Sequence, residues 1–432
     1  MGLSLREPRK RIIVLAVSLA AAAILIFQAG KLWLSSYRLA SGRLDLMERG
    51  AALVPGNAAA WDSLGRFRQW DFAKPDIPGA IADFQRAVAA DPRSAHFWMD
   101  LASAYEAAGD SARAREAFLR AKAVYPVSAE VAFYYGNFLL RQQQYPEAYA
   151  ELRRAVRTDR ALLPLAISRT WRSSEDVNEL LDQMLPAEAN AYLQALSFFA
   201  SIHQAEPGLA VWKRLLSIGQ PIVLSRTFPF FEELIREARG GDARRIWREA
   251  VLAAGQNYPE PPNHSVIWNG DFAGDFANGG LEWRWIPFPG IAIDFDNEPA
   301  PHGSRAVRLD FNGGGNPDLG APRQYVPVEP ATSYHFHAYM RTQEITTESG
   351  MRFSLSDPNH PDAPSALTDN FTGSHAWTTV DAELTTGPQT HFLLVRLWRN
   401  PSRLFENKLG GTVWLADVSL VPSSAEPGRA SP

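Results

Sequence analysis

The sequence predicts a multidomain α + β protein: a transmembrane helix, a right-handed α-solenoid of helical hairpins and a C-terminal antiparallel β-sandwich of the jelly-roll type. Three observations predict this architecture. An uncharged apolar run lies near the N-terminus, a residue pattern recurs about every 34 residues, and the C-terminal part alternates in polarity between turn residues. A chain of 432 residues with 46% hydrophobic residues is long enough for two or three folded domains.

The overall composition excludes some function classes. The formal net charge of −4 argues against a nucleic-acid-binding protein, which usually carries a concentrated basic face. The chain has no cysteine, and this excludes disulfides, thiolate metal sites, cysteine nucleophiles and a lipidated cysteine. We therefore expect no nucleic-acid partner and no thiol chemistry.

The N-terminal segment predicts a membrane anchor. Four basic side chains within residues 1–11 precede an uncharged apolar run, residues 12–27. Because about 20 apolar residues span a bilayer, we expect a span over residues 12–34, extended by the interfacial Trp33. The basic cluster predicts a cytoplasmic N-terminus at a bacterial inner membrane, with the bulk of the chain periplasmic or extracellular. A cleaved signal peptide is the alternative interpretation.

The next part of the chain carries a repeated two-helix pattern. Trp98, Leu101 and Tyr105 share one face of a predicted helix. Ala114 and Phe118 share a face of a second helix that follows a short turn. The same spacings recur before and after this copy, and they are clearest over residues 58–162. A single pair of such helices cannot bury both apolar faces, so the pairs are expected to stack.

The residues between the helices are those that begin and end helices. Asp110 or Ser111 suits the start of the second helix, and Pro126 suits its end. The whole pattern resembles the tetratricopeptide repeat, with W-x2-L-G-x2-Y, then A-x3-F, then P. We expect a repeat domain over residues 35–255, with degenerate hairpins over residues 163–255.

The resemblance implies that the first helices line a concave surface that binds a protein partner. Nine positions are predicted to face inward on these helices: Asp62, Arg66, Gln69, His96, Met99, Ser103, Glu130, Phe133 and Asn137. The alternative interpretation is that each is an ordinary solvated or inter-repeat residue.

The C-terminal part has a different composition. A proline-rich linker over residues 256–264 leads to a predicted β-sandwich over residues 265–422, and a disordered tail is expected over residues 423–432. The motif order in the sandwich resembles the galactose-binding-like jelly roll of carbohydrate-binding modules: "WNGDF" (268–272), "LEWRW" (281–285), "RQYVPVEPATSY" (323–334) and "TVWLADVSLVP" (412–422). The resemblance implies a glycan ligand.

Those modules often hold a structural calcium ion through the acid after the opening Phe and an Asp in the closing strand. Here Ala273 occupies the first position, whereas Asp417 occupies the second and Asp271 is a nearby substitute. We therefore expect no cofactor, with Asp271 and Asp417 as the weak calcium candidates.

The glycan candidates combine aromatic rings, on which sugars stack, with polar groups that bind hydroxyls. Six residues are predicted to line one cleft: His335, His337, Tyr339, Arg341, Arg396 and Trp398. The alternative interpretation is that Trp398 belongs to the core and the others are plain surface.

The same strand also carries a pattern that zinc sites use. His335 and His337 alternate and share a face, as zinc ligands on a strand would. The sequence identifies no third ligand beyond a guess at His375 or His391, so we predict no metal site.

These features predict a membrane-anchored extracytoplasmic scaffold. Its repeats would bind a protein partner and its jelly roll a glycan, as in envelope or exopolysaccharide assembly. A protein–protein adaptor without sugar binding is the alternative. We expect no enzymatic activity, because the sequence has no serine-hydrolase, nucleotide-binding or zinc-protease motif. A glycan-active enzyme would need a carboxylate pair from distant strands.

Overall fold

The computed structural model describes residues 8–71, 74–256, 261, 264–296 and 300–423. The chain divides into two compact units, Met1–Pro186 and Ala187–Pro432. The predicted N-terminal segment 1–11, linker 256–264 and disordered tail 423–432 lie largely outside the described residues.

The first unit is helical. The helices described in it are α1 (Pro8–Leu39), α2 (Leu44–Leu53), α3 (Ala58–Gln69), α4 (Ile77–Ala90), α5 (Ala95–Ala107), α6 (Ser111–Val124), α7 (Ala129–Arg141), α8 (Tyr145–Thr158), α9 (Leu163–Ser174) and the short α10 (Val177–Glu179). A π-helical turn over Leu180–Met184 follows α10.

The second unit begins with four helices and continues with nine described strands. The helices are α11 (Ala189–Ser201), α12 (Ala205–Ser217), α13 (Phe228–Arg236) and α14 (Gly240–Ala253). The strands are β1 (Ile291–Asp296), β2 (Ala306–Asn312), β3 (Arg323–Pro327), β4 (Ser333–Ile345), β5 (Arg352–Ser356), β6 (Ala366–Leu367), β7 (Gly373–Thr385), β8 (Phe392–Trp398) and β9 (Gly410–Pro422).

Helix α1 is long and apolar enough to cross a membrane, and its apolar segment is not buried against any other residues that the structure describes. An anchor and a signal sequence both have this length and composition. The C-terminal end of α1 packs on α2 instead. Ser35 is buried there, and its hydroxyl donates a hydrogen bond of 2.7 Å to the carbonyl oxygen of Gly50. The same helix therefore contains the predicted span and the start of the predicted repeat domain.

Helices α3 to α8 form three consecutive hairpins, which confirms the predicted helical pairs over residues 58–162. Small residues allow the two helices of a hairpin to approach closely. A Cβ atom on Gly65 would come within 2.8 Å of the Phe84 ring, and one on Gly136 would come within 2.9 Å of Leu152. These distances are shorter than ordinary van der Waals contact, so the absence of a side chain is required there.

Phe118 joins the middle hairpin to the next one. It is buried, and its ring lies 5.6 Å from the ring of Tyr135 and 5.2 Å from the ring of Phe138, both on α7. Offset aromatic contacts of this kind add to the stability gained from burial alone. The hairpins consequently share a continuous core.

The helix ends follow the sequence expectations. The carboxylate of Asp110, not Ser111, caps α6 by accepting a hydrogen bond of 2.9 Å from the backbone N–H of Arg113. Helix α6 ends at Val124, just before Pro126, which cannot continue a helix.

The strands form two antiparallel sheets. The five-stranded sheet has the order β1-β2-β9-β4-β7, and the four-stranded sheet has the order β3-β8-β5-β6. Buried residues from both sheets belong to one hydrophobic core, in which the rings of Phe336 (β4) and Phe353 (β5) lie 4.9 Å apart. The C-terminal part is thus a two-sheet antiparallel domain.

Helices α13 and α14 pack against this domain within the second unit. The ring of Trp247 lies 6.3 Å from that of Trp268, and a Cβ atom on Gly280 would come within 2.2 Å of Trp247. An ion pair of 2.7 Å joins Arg284 to Glu232 on α13. These contacts explain why the compact units divide at Pro186, whereas the sequence assigns residues up to 255 to the repeat domain.

The packing of Phe118 generates a stability prediction. Replacing Phe118 with Ala should lower the free energy of unfolding by about 3 kcal/mol, because a buried ring that joins two hairpins is lost. The adjacent Leu119 is 46% exposed on the same helix and is the matched control. Leu119→Ala should change stability by less than about 0.5 kcal/mol. Chemical denaturation of the detergent-solubilised chain measures both, and equal effects would contradict this packing.

Candidate functional site

A groove of about 450 Å³ lies on the first helices of the hairpins. Its lining residues come mainly from the end of α3 and from along α5 and α7: Gln69, Trp70, His96, Met99, Asp100, Ser103, Glu106, Phe118, Glu130, Phe133, Tyr134, Asn137, Arg141 and Arg169. Seven of the nine predicted concave-face residues are among them, which are Gln69, His96, Met99, Ser103, Glu130, Phe133 and Asn137.

Helical spacing brings these side chains together. Met99 and Ser103 lie four residues apart on α5, and Phe133 and Asn137 lie four residues apart on α7, so each pair shares a face. The Gln69 amide at the end of α3 donates a hydrogen bond of 3.0 Å to the Ser103 hydroxyl. This bond links the first two hairpins at the surface of the groove.

The remaining two predicted residues, Asp62 and Arg66, do not line the groove. Asp62 is only 1% exposed, and it is hydrogen-bonded to Arg66. Arg66 also lies 3.4 Å from the carboxylate of Asp100, which does line the groove. The prediction that Asp62 faces the partner-binding surface was therefore wrong, because the side chain is buried in an ion-pair cluster between α3 and α5, as the inter-repeat alternative describes.

Asp100 is the unusual member of this cluster. Burial, together with a hydrogen bond to the Asp62 carboxyl, raises the pKa of Asp100 to about 7, although Arg66 opposes the shift. His96 Nε2 lies 3.4 Å from the same carboxylate. Asp100 therefore retains a proton at pH values where an isolated carboxyl group is ionised.

Two further polar groups in the groove contrast with each other. Arg141 donates hydrogen bonds of 2.6 and 2.8 Å to the two carboxylate oxygens of Glu106, so that these charges are matched. Asn137 is 8% exposed, and its side-chain oxygen has no hydrogen-bond partner within the described part of the chain. A buried acceptor without a partner favours a ligand that can donate a hydrogen bond.

Sequence reasoning missed several residues of the groove. Asp100, Glu106, Tyr134 and Arg141 lie on α5 and α7, one to four residues from predicted positions, so helical periodicity would have found them with a broader choice of face. Arg169 belongs to α9, beyond the clear repeats, and no pattern in the sequence indicated it.

The glycan candidates on β4 lie on the outer face of the five-stranded sheet. Buried residues alternate with them along the strand. The Arg341 guanidinium stacks 4.4 Å from the ring centroid of Trp414. Beside it an open pocket of about 460 Å³ includes Trp377, which the sequence analysis did not select, and His375, which it named only as a guess at a third zinc ligand. Trp377 is partly buried, so it supplies an apolar ring at this surface.

The prediction that all six candidates line one cleft was wrong. Arg396 and Trp398 belong to β8 of the four-stranded sheet, where Val395 and Leu397 point into the core. Because side chains alternate along a strand, Arg396 and Trp398 lie on the outer face of that sheet. His335, His337, Tyr339 and Arg341 lie on the outer face of the other sheet, across the core.

The two calcium candidates lie near one another. Asp271 and Asp417 both line a pocket of about 310 Å³, together with His302, His337 and Tyr339. Asp417 has a left-handed backbone conformation with φ of 47°, at an irregularity in the pairing of β4 with β9. Burial raises the pKa of Asp417. Calcium binding by this pair stays a prediction.

Residues 76–124 and residues 101–161 match a family model described as tetratricopeptide repeat. Residues 76–161 are tetratricopeptide repeats. The matched segment runs from the start of α4 to just beyond α8 and contains the middle and third hairpins completely. Comparison with curated proteins gave no match.

Solved structures of similar repeats are distant. YrrB, a TPR protein with an unusual peptide-binding site, is 17% identical over 41% of this chain and 93% of that chain, with a TM-score of 0.29. The pilF protein of Pseudomonas aeruginosa is 19% identical over 46% and 78%, with a TM-score of 0.25. The first TPR of Spaghetti (RPAP3), bound to an HSP90 peptide, is 19% identical over 28% and 91%, with a TM-score of 0.25. The repeat assignment therefore rests on the family match and the hairpin geometry.

The raised pKa of Asp100 predicts how stability depends on pH. An acid with a raised pKa in the folded state binds more protons there than in the unfolded chain, so stability falls as pH rises from about 4 to about 7. Asp100→Asn removes this effect and keeps a side chain of similar shape. The variant should be more stable than the natural protein by about 1–2 kcal/mol at pH 8, with a smaller difference at pH 5.

Denaturation curves at the two pH values test this prediction. Glu116→Gln is a suitable control, since that side chain is exposed on α6. A constant difference between the Asp100 variant and the natural protein at both pH values would contradict the raised pKa.

Proposed function

We propose that this protein is a membrane-tethered scaffold whose repeat groove binds an extended peptide segment of a partner protein. The observation that carries the proposal is the groove itself. It crosses three consecutive first helices and combines aromatic side chains with hydrogen-bonding groups. Solenoids of stacked hairpins present surfaces of this kind to partners.

The chemistry of the groove supports a peptide ligand. Phe133 and Tyr134 provide apolar area, and Tyr134 is 52% exposed. The oxygen of Asn137 can accept a hydrogen bond from a peptide N–H group, and Arg169 and Glu130 offer opposite charges at the rim. Ordered polar groups next to exposed rings are typical of surfaces that bind proteins.

The protonation of Asp100, beside Asp62, indicates which kind of ligand the groove prefers. When Asp100 loses its proton, the groove gains a negative charge beside His96. A cationic peptide side chain at this position would favour that loss, because an opposite charge stabilises the carboxylate. We therefore expect a partner segment that places a Lys or Arg near Asp100 and an apolar side chain near Phe133.

Photo-crosslinking in living cells tests where the partner binds. A photoreactive amino acid in place of Tyr134 should give a crosslinked product, and one in place of Leu119 on the second helix should not. Both positions are about half exposed, at 52% and 46%, which makes them a matched pair. Crosslinking from Leu119 alone would contradict the proposal. With the purified partner segment, Asn137→Ala should weaken binding about tenfold, as the loss of one buried hydrogen bond predicts.

The tether is α1. Its apolar residues, among them Leu25 at 69% and Phe27 at 66% exposed, are not covered by any other described part of the chain, as in a bilayer-facing helix. Basic residues precede the apolar run, and the aromatic rings of Trp33 and Tyr37 follow it, stacked 5.7 Å apart. This order supports an N-in anchor that holds the repeats outside the cytoplasm at the cell envelope.

The C-terminal domain supports a second candidate function, glycan binding by a jelly roll. The order β2-β9-β4-β7 opposite β3-β8-β5-β6 is the arrangement expected for eight strands of two Greek keys, with β1 added at one edge. Trp377 and Arg341 beside an open pocket are the observation that favours a sugar, because a pyranose stacks on a ring and bonds to guanidinium groups. The role proposed for this pocket is binding without catalysis.

A glycan array probed with the solubilised chain tests the second function. Trp377→Ala should abolish binding of any glycan that the natural protein retains. Trp398 lies on the other sheet, so Trp398→Ala should leave that binding unchanged. Loss only in the Trp398 variant would place the ligand on the four-stranded sheet. Absence of binding across a broad array would leave the protein adaptor as the function of the chain.

A further inference from the structure

The outer face of the five-stranded sheet carries a compact group of metal-ligand types. His335 and His337 on β4 and Asp381 on β7 offer ligand atoms that all lie within 4.8 Å of one another. Asp381 Oδ1 lies 2.7 Å from His337 Nδ1 and 3.3 Å from His335 Nε2. Two imidazole nitrogens therefore converge on one carboxylate oxygen.

The strand register explains this convergence. His337 is directly opposite Asp381 in the antiparallel pair β4–β7, and His335 is opposite Glu383. Side chains at alternate positions share a face, so His335, His337 and Asp381 all point away from the core. Tyr334 and Phe336, which alternate with the histidines, are buried on the other face.

The distances suit a small tetrahedral metal ion. Bonds of about 2.0–2.1 Å to a tetrahedral Zn²⁺ place neighbouring donor atoms about 3.3–3.4 Å apart. The separation of His335 Nε2 and Asp381 Oδ1, 3.3 Å, already has this value. His337 Nδ1 is closer to the carboxylate, at 2.7 Å, and would have to move away by about 0.6 Å. Its partner Asp381 is partly exposed, at 44%, and has room to rotate.

The groups around the three ligands add negative charge, which favours a cation, and they restrain the imidazole of His337. Glu383 is exposed opposite His335 and adds negative charge to the same face. The Tyr339 ring stands edge-on to His337, with centroids 5.0 Å apart, and His302 lies 3.1 Å from the Tyr339 hydroxyl. Packing that restrains the orientation of a ligating imidazole raises the affinity of a metal site.

We propose that His335, His337 and Asp381 form a binding site for a divalent transition-metal ion of the zinc type. Two imidazoles and one carboxylate suit Zn²⁺ better than Ca²⁺ or Mg²⁺, which prefer oxygen donors. Three protein ligands leave one tetrahedral position for water or for an oxygen of a bound molecule. The ion would also link β7, an edge strand of the sheet, to its neighbour β4.

Calorimetric titration of the metal-free, detergent-solubilised full chain with ZnCl₂ tests the proposal. The expected result is one Zn²⁺ bound by these ligands, with no heat of binding for CaCl₂ at this site. His335→Ala and Asp381→Asn should each weaken this binding at least tenfold, since loss of even an outer-shell partner has an effect of 10–100-fold. His375→Gln is the matched control, because it changes a histidine of β7 outside the cluster.

A second group requires its own control. Asp62, His96 and Asp100 also bring ligand atoms within 4.8 Å of one another in the repeat unit. His96→Gln should leave the proposed site intact, and any second, weaker binding event should disappear in that variant. The proposal is overturned if ZnCl₂ gives no binding, or if binding survives in His335→Ala and Asp381→Asn but is lost in His96→Gln. A Zn²⁺-dependent rise in melting temperature that Asp381→Asn removes would support it independently of calorimetry.

Discussion

The close approach of the two helices within each hairpin is the constraint on which the repeat surface depends. Gly65 fits against Phe84, and Gly136 fits against Leu152, at separations that allow no side chain on the glycine. Small residues occupy the face of the first helix that packs on the second helix. The bulky and polar side chains of the first helix therefore lie on its other faces. Many of them point to the next hairpin or into the groove. The same choice of residues thus determines both the packing and the surface.

Buried polar groups at the groove lower the stability of the folded chain. Burial raises the pKa of Asp100, which lies beside the buried Asp62, to about 7, whereas apolar residues would pack there without such a penalty. Perturbed groups of this kind occur most often where a protein binds or reacts. Asn137, whose buried oxygen has no hydrogen-bond partner among the described residues, has the same character. A ligand that supplied a positive charge or a hydrogen-bond donor would stabilise these groups.

Much of the architecture could be predicted because its signals are local. The spacing of Trp98, Leu101 and Tyr105 predicted a helical face, and the alternation around Phe336 predicted a strand. The seven groove residues followed from the same periodicity. The features that escaped prediction depend on contacts between distant segments. Asp381 lies 44 residues after His337, so only the strand register reveals the cluster.

The wrong prediction that six glycan candidates line one cleft also results from contacts between distant segments. Alternation shows which side chains of one strand share a face. It does not show which sheet the strands of His335 and Trp398 join. The burial of Asp62 was missed because periodicity places a residue on a face without showing what covers that face. Local patterns thus predict elements, and long-range pairing decides which elements build a common site.

Hydrogen–deuterium exchange of the full chain, with and without its crosslinked partner segment, tests the central claim most directly. If the segment lies in the groove, exchange should slow at the end of α3 and along α5 and α7, whereas α4, α6 and the sheets should stay unchanged. Slower exchange confined to the second helices or to the two-sheet domain would contradict the account.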